Sequence, residues 1–321
     1  MREAHPIEQS IGIEWYMSDV DGIGGVLRKS PEDFIVRERE EFETEPIESD
    51  PRDYPHLIAR ITLRDWDTND FARELSNRLG LSRGRIGWAG TKDRRAVTTQ
   101  LFSVKTDEND LPAIPDADIT IIGRAGRPLR FGDLAGNDFQ ITIANPADPA
   151  QANQVLDSLG EGESLLPNFF GQQRFGSRRT ITHEVGLHIL HRNWEKAVLT
   201  YVGNPSENEP EESQNARKFV EETQDWKGAL KEFPNRLRYE RAICHELANG
   251  KSFKEALESL PSNLQRLFVH AAQSYIFNRI ISERLTKGIP IERVIEGDIA
   301  CFTEKRDGLR IPNPDQTQQA N

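Results

Sequence analysis

Residues 90–100 read GTKDRRAVTTQ and place one carboxylate, Asp93, among three cations. A lone Asp in a turn usually caps nearby backbone amides. Here Gly90 permits tight backbone geometry, Lys92, Arg94 and Arg95 make the surroundings electropositive, and Thr98, Thr99 and Gln100 add neutral hydrogen-bonding groups. Nearby cations favour the ionised carboxylate, which suits a nucleophile or base more than an acid. Other titratable groups promise less. His183, His188 and His191 share one helical stretch, but their spacing misses the His-Glu-x-x-His pattern, in which two ligands lie four apart, so no zinc site is expected. Gly22-Ile23-Gly24-Gly25 precedes a strand rather than opening a helix, which removes the context of a dinucleotide fingerprint. Cys244 and Cys301 are far apart and read as buried free thiols.

The elements that must hold Asp93 can be read from periodicity. Residues 33–38 (DFIVRE) and 57–64 (LIARITLR) alternate apolar and polar, as half-buried strands do. Asp67 or Thr68 can cap a helix over 69–79, with Gly80 at its left-handed stop. Residues 86–89 read as a short strand, 90–95 as a turn and 101–105 as a strand, so Asp93 sits on a loop between strands. Two more strands are expected at 118–123 and 137–144. Beyond residue 145 the period becomes helical, over 150–159, 182–201, 213–223, 236–248 and 264–285. Residues 203–213 (GNPSENEPEES) form a loop, and 311–321 are polar without an apolar period and read as an unstructured end. The fold class is therefore α+β, with a sheet-rich domain over 1–160, a mainly helical domain over 161–300, a boundary near 160–163 and a polar tail over 301–321.

At 321 residues, two domains are the natural prior. No apolar run reaches a membrane span and the first ten residues do not resemble a signal peptide, so a cytoplasmic location is expected. The formal charge of −11 argues against nucleic acid until its distribution is considered. Seven of the thirteen residues 38–50 are acidic, whereas Arg83, Arg85, Lys92, Arg94 and Arg95 cluster around the Asp93 loop. Further basic clusters are Arg124, Arg127 and Arg130, then Arg174, Arg178 and Arg179. An acidic surface with one basic face suits an enzyme that binds RNA on that face, and charge alone fits scattered solvated side chains equally well until a motif is added.

Residues 87–100 (GWAGTKDRRAVTTQ) then resemble the signature of the TruD family of tRNA pseudouridine synthases, in its archaeal type. Four further segments agree in order: 27–38 (LRKSPEDFIVRE), 136–141 (GNDFQI), 168–176 (NFFGQQRFG, followed by Thr182, His183 and Gly186) and 269–278 (VHAAQSYIFN). The resemblance implies a mixed or antiparallel-sheet catalytic domain carrying an inserted helical domain. It implies Asp93 as the catalytic carboxylate, Phe139 as the ring that stacks on an extruded uracil, and Asn137 as a neighbour of Asp93 or of the base. On spacing alone, Phe139 would be a core residue. Where the family carries a lysine near the catalytic aspartate this chain has Arg28, with Lys29 next to it; one of the two is expected to pair with Asp93. Lys92, Arg94, Arg95 and Arg174 are candidate RNA contacts.

The implied reaction isomerises uridine to pseudouridine at position 13 of the tRNA D arm. It needs no redox step, cofactor or metal, and its partner is tRNA. Nothing like the family's closing segment F-x-L-P-x-G-x-Y-A-T follows residue 298, so the return to the catalytic sheet is expected to be lacking. A tRNA-binding or tRNA-folding module without catalysis is the alternative. An Asp-dependent hydrolase would explain Asp93 but not the other four segments.

Overall fold

A computed structural model describes all residues except 108–109, 160–165, 177, 292, 307–308 and 320–321, with backbone alone for 302–306, 309–316 and 319. It contains two units: one built from 22–153 and 296–321, the other from 1–21 and 154–295. The N-terminal twenty-one residues thus belong with the helical unit, and the boundary expected near 160–163 lies outside the described residues.

The first unit is organised on one mixed sheet. Its strands are β1 (Phe34–Glu40), β2 (His56–Arg64), β3 (Ile86–Trp88), β4 (Val97–Val104), β5 (Ala117–Ala125) and β6 (Leu134–Ile141). Their order is β5-β2-β4-β1-β6, with β3 beside β4. The β1/β4 pair is parallel, and the others are antiparallel. Strand β4 begins at Val97 rather than at 101, so the VTTQ end of the motif is in the sheet. Helix α1 (Thr68–Arg78) is capped by Asp67, whose carboxylate accepts from the backbone N–H of Asn69 and Asp70, and Gly80 follows at φ 62°.

Directly paired residues project to one face of a sheet. The register places Phe34, Val36 and Glu38 of β1, Thr98 and Gln100 of β4, and Asn137 and Phe139 of β6 on a common face. Over β2 and β4 that face is covered by α1, whose Phe71, Ala72 and Leu75 pack on Ala59, Ile61, Leu63, Phe102 and Val104. Over β1 it is covered by the motif loop, through a small cluster of Phe34, Val36 and Ala96. Over β6 it is open, and residues 137–141 are all exposed.

The segment expected to be an unstructured tail is paired: Ile299–Arg306 runs antiparallel to Leu309–Gln319, with a register shift between Cys301 and Phe302. Backbone pairing supplies its own hydrogen bonds and needs no apolar period, which is why a polar stretch reads as tail and folds as strand. Cys301 on this hairpin is exposed, while Cys244 is buried as expected.

The division at residue 153 falls within α2 (Gln151–Ser158), and the second unit goes on with α3 (Thr182–Leu190), α4 (Trp194–Val202), α5 (Glu211–Thr223), α6 (Trp226–Glu232), α7 (Arg238–Ala248), α8 (Phe253–Glu258) and α9 (Ser262–Thr286). The helix expected over 182–201 is two helices, because Arg192 turns left-handed at φ 57° and Asn193 caps α4. Gly186 lets α3 approach α9 closely: a Cβ there would lie 2.0 Å from the carbonyl oxygen of Phe268. The core holds a buried ionic network. Arg217, 2% exposed, binds Glu209 and Glu240 and donates to the carbonyls of Tyr201 and Val202. Burial pulls the Arg179 guanidinium beside it down to about 10, and its Nη2 donates to the carbonyls of Thr200 and Tyr201.

His183, 3% exposed, stacks on Tyr275 at 4.8 Å and meets Phe175 edge-on. Burial pulls its pKa down to about 4. The unfolded chain, near 6.5, therefore takes up the proton first as pH falls. Stability from this group is full above pH 6.5, declines between about 6.5 and 4, and is lost below, for a total of about 3 kcal/mol. His183→Phe is expected to flatten that part of the stability curve. Urea midpoints at pH 7 and pH 5 check it; an unchanged difference between parent and variant would show that His183 titrates alike in both states.

Among the described residues no helix is long and apolar enough to cross a membrane, and no group of three or more His, Cys, Asp or Glu is placed to hold a metal ion.

Candidate active site

Asp93 and Arg28, 65 residues apart in sequence, form an ion pair at 3.1 Å, and each side chain is about one-third exposed (33%). Arg28 reaches this position because the preceding Val26–Leu27 pairs antiparallel with Ile143–Ala144, just beyond β6. Its backbone is left-handed at φ 54°, a conformation that non-glycine side chains adopt at a cost and that recurs at functional sites. The guanidinium carbon also lies 3.9 Å from the Phe34 ring centroid, so a cation–π contact fixes the group from a second side. Phe34 in turn meets Phe139 edge-on at 6.0 Å. Asp93, Arg28, Phe34 and Phe139 thus form one continuous line from the loop to the open end of the sheet face.

Phe139 is 57% exposed. Its spacing on a strand is that of a core residue, but it lies on an edge strand and more than half of it is exposed among the described residues, so the ring is open to a stacking partner. Asn137, two residues earlier on the same face, is also exposed and opposes Glu38 across the β1/β6 pair. Of the two basic candidates beside Asp93, Arg28 makes the pair. Lys29 is exposed, and its carbonyl accepts from Nη2 of Arg95 at 2.8 Å, tying the two basic segments together.

Lys92 does not reach the surface. Its ammonium binds Glu38 at 2.5 Å with both side chains almost completely buried, and its backbone N–H donates to Oγ1 of Thr68 at 2.9 Å. The phosphate contact expected of it is therefore not available, and Lys92 instead staples the Asp93 loop to β1 and α1. The other oxygen of Glu38 accepts from the backbone N–H of Leu101 at 3.4 Å. Burial pushes the Glu38 carboxyl up, opposed by its hydrogen bond and attraction to Lys92. Gln100 adds a third tie, donating to the carbonyl of Gly90 at 3.3 Å. Below the loop, Thr98 Oγ1 and Gln100 Oε1 are buried without a protein partner among the described residues.

Phe34 and Glu38 both lie in the 27–38 segment, where Phe34 reads as easily structural as functional and Glu38 has no role of its own, although the signal exists: 34, 36 and 38 are the alternate positions of one strand and so share the face that carries the site. Arg94 and Arg95 are exposed as expected of RNA contacts, and Arg174 is half-buried in the helical unit, its Nε donating to Ser274 and its guanidinium 5.7 Å from the Phe170 ring. The wider basic clusters thin out. Arg124 is buried and donates to the carbonyl of Ile47, Arg127 pairs with Asp133, and Arg179 belongs to the buried network. A cleft of about 500 Å³ elsewhere in this unit is lined by Glu41, Glu43, Glu45 and Asp133 and does not include Asp93.

This mixed sheet, with its accompanying helical unit, is the fold of a tRNA pseudouridine synthase D crystal structure from Methanosarcina mazei, described there as putative. The two superpose with a TM-score of 0.86 at 42% identity, over 99% of this chain and 73% of that one. The class is thus that of the pseudouridine synthase fold. Curated relatives described as probable tRNA pseudouridine synthase D include one from Halobacterium salinarum, 56% identical, and one from Natronomonas pharaonis, 54% identical. Each matches over 99% of this chain and 74% of the relative. The family described as tRNA pseudouridine synthase D (TruD) matches residues 10–321, and this chain belongs to it.

Proposed function

We propose that this chain isomerises uridine to pseudouridine in tRNA, at position 13 of the D arm, with Asp93 as the catalytic carboxylate. The observation that carries the reading is the Asp93–Arg28 pair standing beside the exposed ring of Phe139. The reaction breaks the bond from uracil N1 to the sugar C1′, turns the base, and joins C5 to C1′. The C5 proton leaves and N1 gains one, so no redox partner is required. Asp93 acts on the ribose, either by attack on C1′ or by removal of a ribose proton, and both routes use the same ionised oxygen. Arg28 holds that oxygen in place and balances its charge.

A base cannot be turned inside a stack, so the target uridine is extruded, as in enzymes that act on single bases. Phe139 supplies the stacking face and Asn137 an amide for the Watson–Crick edge. Arg94, Arg95 and Lys29 contribute positive charge near the site for phosphate contacts that position the RNA without reading it. The exposed ring makes one result specific. Phe139→Ala is expected to lower kcat/KM about tenfold or more while moving tRNA affinity and stability little, because base stacking contributes about 1–3 kcal/mol. Unchanged turnover would remove Phe139 from the site.

The test of the function is tritium release from tRNA carrying 5-tritiated uridine, with the product position mapped along the tRNA. Release with pseudouridine at position 13 is expected. Release with pseudouridine elsewhere corrects the position. Bound tRNA without release removes the catalytic reading and leaves a tRNA-binding or tRNA-folding module.

A further inference from the structure

A second site lies within the helical unit. A cavity of about 350 Å³ opens between the end of α3, the start of α4, and helices α8 and α9. Pockets of about 300–1,000 Å³ with a mostly apolar lining are the usual size for holding a small organic group. Its apolar lining is Ile189, Leu257, Phe268 and Val269, and the indole of Trp194 supplies a flat aromatic surface. Lys254 Nζ stands 5.9 Å from the Trp194 ring centroid. Gln265 is fixed, its Nε2 donating to the carbonyls of Glu258 and Leu260, which leaves its Oε1 as an acceptor.

The rim decides what fits. Lys254, Arg266 and His270 line it against one acid, Glu258, which is paired with Lys254 at 3.6 Å. Arg266 is exposed and makes no ion pair among the described residues. On a chain with a formal charge of −11, an apolar slot with an indole face and a cationic edge selects a flat apolar group that carries negative charge. An apolar protein segment would use the floor but leave Arg266 unpaired. A nucleotide uses both: the base against the indole, the phosphate at the rim.

We infer that this cavity of the helical unit is a secondary RNA-binding site that takes one unstacked nucleobase against Trp194, with its phosphate at Arg266 and His270. The inference rests on the tRNA reading above and adds a contact made by residues outside the Asp93 site. It is a binding role, so it predicts a loss of affinity rather than of chemistry.

The experiment measures binding of unmodified tRNA transcript by the full chain across a range of KCl, for the parent, Trp194→Leu, Trp194→Phe and Arg266→Ala, alongside tritium release at saturating tRNA. Trp194→Leu is expected to bind about tenfold more weakly, and Trp194→Phe, which keeps an aromatic face, to recover most of that loss. Arg266→Ala is expected to reduce the slope of log affinity against log salt by about one. Turnover at saturation should stay within about twofold of the parent. Arg266 is a surface position, so its variant carries the test should Trp194→Leu fail to fold. A parent that binds and modifies tRNA, with Arg266→Ala unchanged in both affinity and slope, overturns the second site and spares the function. A parent that binds no tRNA overturns both.

Discussion

Asp93→Asn is expected to bind tRNA within about threefold of the parent and to release tritium at least about a thousandfold more slowly. The asparagine is nearly isosteric and can still accept a hydrogen bond from Arg28, so the loop should keep its position. What it removes is the anionic oxygen, and groups that act directly on the reacting atoms contribute roughly 10²–10⁴-fold or more to rate. Stability should change by less than about 1 kcal/mol, because the ion pair with Arg28 is one-third exposed on both sides and pairs of that kind contribute little. Single-turnover tritium release with excess enzyme separates the two quantities. A variant that keeps more than a tenth of the parent rate would move the catalytic role away from Asp93. Loss of binding together with rate would instead make Asp93 part of the RNA-binding surface.

Much of this site is readable from sequence because it is local. The Gly90–Gln100 run announces a tight, basic turn, and the alternation in DFIVRE and LIARITLR announces the strands beside it. That Arg28, rather than Lys29, meets Asp93 is a different kind of fact. It depends on Val26–Leu27 pairing with Ile143–Ala144, a contact over more than a hundred residues that no local period encodes. Phe139 shows the same limit from the other direction. An aromatic at an alternating position reads as core, and only the sheet order, which places its strand at an edge, makes it exposed. The break at Arg192 and the short helices Trp226–Glu232 and Phe253–Glu258 escaped for want of length, since elements of six to nine residues carry barely two turns of periodic signal. Charge was the least legible property. Lys92, Arg124 and Arg179 all count as basic in the sequence, and all three are buried and bonded to carboxylates or carbonyls.

Lys92 provides the second large effect. Glu38→Ala should destabilise the sheet unit by about 3–5 kcal/mol, because removing one partner leaves a buried ammonium without compensation. That result alone would not show why the pair is there. The double variant Glu38→Leu with Lys92→Met does, since replacing a buried ion pair by well-packed apolar groups of similar volume is often neutral or stabilising. It should return to within about 1 kcal/mol of the parent in denaturant unfolding. Its turnover should not recover. The pair ties the residue next to Asp93 to β1, while the Lys92 backbone is tied to Thr68 of α1, so cutting the first tie allows the carboxylate to drift. A displacement of about 1 Å at a reacting group can cost up to about a hundredfold in rate. The expected pattern is restored stability, near-parental tRNA affinity and a kcat lowered at least about tenfold. Full recovery of kcat in the double variant would make Glu38–Lys92 a folding element only, and would leave the aim of Asp93 to Arg28 and to the ties from Thr68 and Gln100.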